Sequence, residues 1–148
     1  MDKTIVILST LDTKGEETKY LKEQIEMQGC QVLIIDMGTR GTASIPADIT
    51  REEVLAAAGK DIDPEALKKD RPRLIQAMID GAAQKVRELY RAKKVDGIIG
   101  IGGATNTLMS TGVMKALSFG IPKLMVSSNA SARGFASRYF GASDIAIM

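Results

Sequence analysis

The sequence predicts an α/β domain, a doubly wound, Rossmann-like and mostly parallel sheet with helices on both faces. Short runs of β-branched and aliphatic residues, such as Lys3–Thr10 and Gln31–Met37, are almost continuously apolar, which is typical of strands buried on both faces. These runs alternate with segments of helical periodicity. Glycine-containing turns separate the two kinds of segment. The alternation predicts a strand order of about 2-1-3-4-5.

The first half of the chain supplies two strands joined by a helix. Strand Lys3–Thr10 ends in the turn Leu11–Gly15, and Glu16–Gln28 has an apolar stripe that predicts a helix. Gly29 follows as a helix-terminating residue. The second strand, Gln31–Met37, comes directly after it.

A long loop and a set of helices come next. Gly38–Ile49 has no periodicity, two glycines and a proline, so we expect an irregular loop. Thr50–Glu53 reads as a capping box that opens a short helix ending at Ala58. Asp63–Glu65 begins another helix. The most sustained amphipathic stripe then runs from Leu74 to Tyr90.

The stretch Val95–Thr107 organises the second half of the chain. It passes from an apolar strand through glycines into three small polar residues, and a helix is expected from Ala104 or Thr105 to about Ser118. Lys123–Ser127 is a fourth strand, and Ala142–Met148 reads as the beginning of a fifth. Since a domain rarely ends on an apolar strand, we expect 1–148 to be one α/β domain of a chain that continues.

Composition narrows the functional classes. The 148 residues include 20 basic and 18 acidic side chains, interspersed, so no basic surface for nucleic acid is evident. Histidine is absent, which excludes Ser–His–Asp and Cys–His nucleophiles and His-ligated metal sites. One cysteine allows no internal disulfide. No apolar run is long enough to cross a membrane and no signal pattern opens the chain, so we expect a cytoplasmic protein.

A ligand site is predicted where the strand order reverses, between the first and third strands. The turns Thr10–Gly15 and Gly100–Thr107 both lead into helix N-termini there, where unpaired amides and the helix dipole favour an anion. We expect phosphate or carboxylate in this cradle. The predicted ligand-binding residues are Thr10, Asp12, Thr13, Lys14, Gly15, Asp36, Gly38, Thr39, Gly102, Gly103, Ala104, Thr105, Asn106, Thr107 and Ser128.

Several of these residues have a second interpretation. The dinucleotide motif would require glycine at position 105, where Thr105 stands, and the alternative interpretation is a tight turn whose glycines serve only packing. Lys14 would neutralise phosphate and Asp12 would hold magnesium through water, or both lie in a solvated turn. Asp36 approaches a ribose hydroxyl, or it caps a helix entry or a loop. The loop residues Arg40 and Arg133 are further candidates for clamping an anion.

Four ordered motifs carry a resemblance to a known family. They are Thr10–Glu17, Asp36–Gly38, Ala47–Val54 and Gly100–Thr107, and together they resemble the N-terminal domain of the Tm-1-like (UPF0261) family. The resemblance implies a Rossmann-like domain that binds ATP, with or without magnesium, beside a second α/β domain. It also implies a homodimer. The antiviral role of the plant member is not carried over, because nothing in this sequence identifies a viral partner.

Three functions are therefore compared. The first is a nucleotide-binding domain without independent catalysis, in which phosphates lie on the Gly102–Thr107 amides. The second is an enzyme for a small phosphorylated or carboxylated metabolite, with Asp12 or Lys14 as acid or base and a second domain that completes the site. The third is a structural dimerisation module whose glycines serve only packing.

Overall fold

The protein forms a five-stranded, all-parallel sheet with helices. The computed structural model describes residues 2–59, 62–139 and 141–148. The strands are β1 (Thr4–Ser9), β2 (Gln31–Asp36), β3 (Gly97–Gly102), β4 (Lys123–Ser127) and β5 (Ala146–Ile147). Their order in the sheet is β2-β1-β3-β4-β5, which confirms the predicted doubly wound topology.

Six helices lie in the described part of the chain, and a side-chain cap precedes three of them, at Thr50, Asp63 and Asp70. The side chain of Thr50 accepts the amide of Glu53, and the Glu53 carboxylate accepts the amide of Thr50, so the predicted capping box is confirmed. The helices are α1 (Gly15–Met27), α2 (Arg51–Ala58), α3 (Pro64–Lys68), α4 (Arg71–Arg91), α5 (Ala104–Met114) and α6 (Phe135–Tyr139).

The C-terminal quarter departs from the predicted boundaries. Helix α5 ends at Met114, four residues before Ser118, because the next turn tightens into bonds from the amides of Ala116 and Leu117 to acceptors three residues back. Strand β5 has only two residues. Helix α6 was not predicted, since five residues are too few to show a period.

The two faces of the sheet bury separate apolar clusters. Ile7 packs with Ile34 and Leu11 on the face that α1 covers. Its neighbours Val6 and Leu8 point to the opposite face, into the larger cluster formed with α2, α4 and α5. This alternation places helices on both sides of a buried sheet. None of the helices in the described residues is long and apolar enough to cross a membrane.

The outer edge of β2 is closed by the loop that follows it. The Asp48 carboxylate accepts the amide of Ile34 at 2.7 Å, and the amide of Asp36 donates to the carbonyl of Ile49 at 2.9 Å. Since an open edge invites pairing with other chains, these contacts protect the sheet. They also direct the loop back toward the carboxyl ends of the strands.

Candidate functional site

A crevice of about 280 Å³ lies at the carboxyl edge of the sheet, between the β1–α1 and β3–α5 turns. Both turns line it, as the reversal of strand order between β1 and β3 predicts. Its walls are Thr10, Asp12, Thr13, Lys14, Thr39, Arg40, Arg71, Gly103, Ala104, Thr105 and Asn106. The sequence-predicted residues outside this lining are Gly15, Asp36, Gly38, Gly102, Thr107, Ser128 and Arg133.

The β3–α5 turn presents an uncapped helix N-terminus to the crevice. Gly103 is the N-cap of α5 and supplies no capping side chain, and the amide of Thr107 is the first to bond back, to the Gly103 carbonyl at 2.9 Å. The amides of residues 104–106 therefore lack intrahelical acceptors. This end of α5 has the unpaired donors and the positive dipole end that an anion requires.

The glycines of this turn serve different purposes. A Cβ at Gly102 would lie 2.8 Å from the Cβ of Asn106, and one at Gly100 would lie 2.6 Å from the sulfur of Met125. Both positions require glycine for packing, which agrees with the packing interpretation for those two. A Cβ at Gly103 would meet nothing closer than Ser128 Oγ at 3.7 Å. Gly103 is therefore the glycine whose open side lets a ligand approach the backbone.

Asn106 fastens the two central strands together beneath the crevice. Its side-chain nitrogen donates to the carbonyls of Leu8 and Ile101, at 3.2 and 2.7 Å, and so bridges the ends of β1 and β3. The side chain is 2% exposed, and its carboxamide oxygen is buried without a hydrogen-bond partner among the described residues. Asn106 thus positions the turn, and its backbone amide stays at the helix end.

Thr107 is turned into the protein. Its hydroxyl donates to the Gly103 carbonyl at 2.8 Å and lies 2.6 Å from Ser127 Oγ, and the residue is fully buried. Ser127 Oγ in turn accepts the amide of Asn129 at 3.1 Å. This chain of contacts ties the start of α5 to the end of β4. The amide and the hydroxyl of Thr107 are both bonded within the protein, and its contact with a ligand stays a prediction.

The β1–α1 turn satisfies most of its own polar groups. The Thr10 carbonyl accepts the amides of Thr13 and Lys14 at 3.1 and 2.8 Å, and the two threonine hydroxyls lie 2.9 Å apart. The ammonium of Lys14 is 2.9 Å from the carboxylate of Glu17, and this bond, followed by the amide of Glu17 itself, lowers the Glu17 pKa. Lys14 remains about one-third exposed, at 35%, and can exchange this partner for a ligand anion.

Asp12 holds the loop that follows β2. Its Oδ2 accepts the amides of Arg40 and Gly41 at 2.8 and 3.0 Å, and the side chain is only 3% exposed. The guanidinium of Arg51 lies 3.8 Å from the same oxygen and also donates to the carbonyl of Gly41. Asp12 therefore holds the part of the loop from which Thr39 and Arg40 line the crevice.

Asp36 is likewise engaged within the protein. One carboxylate oxygen accepts the amides of Leu11 and Gly38, at 3.1 and 2.8 Å, and the other accepts Arg51 Nε at 3.0 Å. These bonds agree with the loop-cap interpretation. Contact between Asp36 and a ribose stays a prediction, and the function proposed below does not depend on it.

Arg71 is the crevice residue that sequence reasoning missed. It is the first residue of α4, which begins after the Asp70 cap, and its Nη2 lies 3.4 Å from the hydroxyl of Thr105. With Lys14 and Arg40 it gives the crevice three cationic side chains. The side chain of Asp70 accepts the amide of Arg73 and so sets where α4 starts. Only the tertiary structure could place that start beside α5.

The carboxylates of the crevice do not form a metal site on their own. Within residues 2–59, 62–139 and 141–148, no three Asp, Glu, Cys or His side chains are grouped to hold a metal ion. Asp12 is the acidic side chain among the lining residues, and its Oδ2 is bonded to two amides. A magnesium ion in this crevice would therefore need oxygen atoms of a bound small molecule to complete its coordination.

Comparison with known proteins identifies relatives over the whole chain. The model of the uncharacterised protein family UPF0261, N-terminal domain, matches residues 3–148. A UPF0261 protein of Clostridium tetani is 40% identical over 148 residues, covering 100% of this chain and 36% of that protein. A UPF0261 protein of Mesorhizobium japonicum is 37% identical over 99% of this chain and 35% of its own length.

A plant protein is more distantly similar. The ToMV susceptible protein tm-1(GCR26) of Solanum lycopersicum is 24% identical over 161 aligned residues, covering 97% of this chain and 21% of that protein. The chain thus spans about a third of the length of its bacterial relatives. An activity of those whole proteins need not lie in this part alone.

Proposed function

The chain belongs to the UPF0261 family, whose N-terminal domain it matches over residues 3–148, and we propose its function from the geometry of the crevice. The domain binds the phosphate groups of a small ligand, with ATP as the candidate, and has no independent catalysis. The observation that carries the proposal is the open, uncapped N-terminus of α5 at Gly103, facing three cationic side chains across one crevice.

The charges around the crevice favour a multiply charged anion. Lys14, Arg40 and Arg71 line it, against the carboxylate of Asp12, which is already bonded to two amides. Arginine guanidinium groups match phosphate oxygens in paired hydrogen bonds, and lysine adds a point charge. The amides of residues 104–106 supply directed donors beside these cations. Donors and charge together fit phosphate better than a neutral ligand.

Titration calorimetry with ATP, ADP and AMP tests the proposal. We expect affinity to fall from ATP to AMP, because each lost phosphate removes charge from a cationic crevice. Raising the salt concentration weakens all three. Equal binding of the three nucleotides, or binding of none, contradicts the phosphate cradle.

The variant Gly103→Asp makes the test specific. Aspartate is a better N-cap than glycine, and a Cβ at Gly103 has room, so the fold should be as stable as the wild type or more so. Its carboxylate accepts the α5 amides and repels phosphate, so we expect ATP affinity to fall at least tenfold. Gly103→Asn is the matched neutral variant, which caps without repelling charge, and its loss should be smaller. Unchanged affinity in Gly103→Asp would place the ligand elsewhere.

A further inference from the structure

A second, larger crevice adjoins the proposed phosphate site. We infer that it receives the uncharged, ring-bearing body of the same ligand, so that the two crevices form one bipartite site for a nucleotide-like molecule. The inference rests on the proposed function and names where the remainder of the ligand lies. The larger crevice has a volume of about 840 Å³ and lies between the loop of residues 38–47, helices α2 and α3, and the start of α4.

Size separates the roles of the two crevices. Sites for whole small molecules usually occupy about 300–1,000 Å³. The smaller crevice, at about 280 Å³, falls just below this range, while the larger, at about 840 Å³, lies well inside it. A ligand that places its phosphates on the α5 amides must therefore leave its remaining atoms outside the smaller crevice.

The two crevices share a wall. Thr39 and Arg40 line both of them. A ligand that extends from the phosphate site across these two residues enters the larger crevice without leaving the protein surface.

This shared wall is fixed before a ligand arrives. The amides of Arg40 and Gly41 donate to Asp12, the amide of Gly38 donates to Asp36, and Arg51 donates to the carbonyl of Gly41. Charged groups thus hold the backbone on both sides of Thr39. A preformed wall lowers the ordering cost of binding a ligand along its length.

The chemistry of the larger crevice differs from that of the phosphate site. Ile45, Leu55 and Leu74 give it apolar surface, while the ion pair of Arg51 with Asp36, at 2.9 Å, supplies charge that is already balanced. Apolar walls with a few fixed polar groups are typical of sites for a planar or ring-bearing molecule. Of the other cations in its lining, Arg40 is shared with the phosphate site, and Lys68 is paired with Glu65 at 2.6 Å.

Inorganic tripolyphosphate and ATP separate the two crevices experimentally. Both carry a triphosphate, but only ATP has a body to place in the larger crevice. We expect this chain to bind ATP at least tenfold more tightly than tripolyphosphate at one magnesium concentration. Ala43→Trp, at an exposed position that lines the larger crevice, should remove that difference and leave tripolyphosphate affinity unchanged.

Matched variants control for the added bulk. Ala56→Trp, at an exposed position on α2 outside the lining of either crevice, should keep the wild-type affinities for both ligands. If circular dichroism shows that Ala43→Trp no longer unfolds cooperatively, Thr42→Trp, at another exposed lining position, takes its place.

Three results overturn the inference. If tripolyphosphate binds as tightly as ATP, the larger crevice contributes nothing, although the phosphate site stands. If ATP binds more tightly but the lining variants do not weaken it, the nucleoside lies elsewhere. If neither ligand binds the wild type, the proposed function fails together with the bipartite site.

Discussion

The two turns that flank the crevice have equivalent positions in the fold, but they differ in whether their polar groups are already hydrogen-bonded. The β1–α1 turn is rich in polar side chains, and these bond to each other or to neighbouring loops, as Asp12 does with the amides of Arg40 and Gly41. The β3–α5 turn has glycine at its helix cap and leaves the first amides of α5 uncapped. Polar side chains of the β1–α1 turn hold the crevice wall in place, while the backbone of the β3–α5 turn provides unpaired N–H donors.

This difference shows why side-chain type alone is a poor guide to ligand contact. Asp12, Asp36 and Thr107 are the kinds of residue that bind ligands, yet their side chains form hydrogen bonds within the protein that hold the turns in place. Gly103 has no side chain and is the most open point of the cradle. The following changes test this division, from the largest expected effect on stability to the smallest.

Two neighbouring glycines give the largest contrast. Gly102→Ala should lower the free energy of unfolding by about 2–3 kcal/mol, because the new Cβ would lie 2.8 Å from the Cβ of Asn106, which cannot move without shifting α5. Gly103→Ala should cost less than about 1 kcal/mol, mainly for a poorer N-cap. Urea denaturation measures both. Equal losses would mean that the two glycines do not differ in packing.

Asn106→Leu tests the bridge between the central strands. The variant removes two hydrogen bonds to strand carbonyls while keeping the branching and the number of heavy atoms of the side chain, so we expect a loss of about 2 kcal/mol. Hydrogen exchange at the ends of β1 and β3 should accelerate. If stability is instead unchanged, burying the unpaired carboxamide oxygen costs as much as the two bonds contribute.

Asp12→Asn weakens the wall but leaves the turn folded. The amide oxygen can still accept both loop amides, though without the charge of a carboxylate, and the charge that faces Arg51 is lost, so the cost should be about 1 kcal/mol. Faster hydrogen exchange at Arg40 and Gly41 is the specific readout. Loss of a catalytic activity in this variant would identify Asp12 as an acid or base only if that exchange stayed at the wild-type rate.

The architecture was predictable because each signal is local. Near-continuous apolar runs marked β1 and β2 as buried strands, and the cap at Thr50 marked the start of α2. The position of the crevice followed from strand order, since the turns after β1 and β3 must meet where the order reverses.

The contents of the crevice were less predictable because they depend on partners distant in sequence. Arg71 meets Thr105 across 34 positions, and Arg51 meets Asp12 and Asp36 only after the loop folds back. No periodicity or motif in the sequence links these residues. Helix α6, at five residues, is too short to leave a pattern.

The smallest effect on stability is expected at Lys14, on the surface of the first turn. Lys14→Met removes the ion pair that lowers the Glu17 pKa, so an NMR titration should show that pKa rising toward its ordinary value of about 4.3. Because the folded-state pKa is lowered, the pair stabilises the wild type above this value, and the contribution disappears as the pH falls through the folded pKa.

The half-exposed pair is screened by solvent, so Lys14→Met should cost less than about 0.5 kcal/mol at pH 7 and nothing near pH 2. Lys19→Met, at an exposed α1 position without an ion pair among the described residues, is the matched control and should leave the Glu17 pKa in place. ATP affinity should fall in Lys14→Met and not in the control. If the Glu17 pKa rises while ATP affinity is unchanged, the Lys14 ammonium serves only α1, and phosphate recognition rests on the α5 amides and the two arginines.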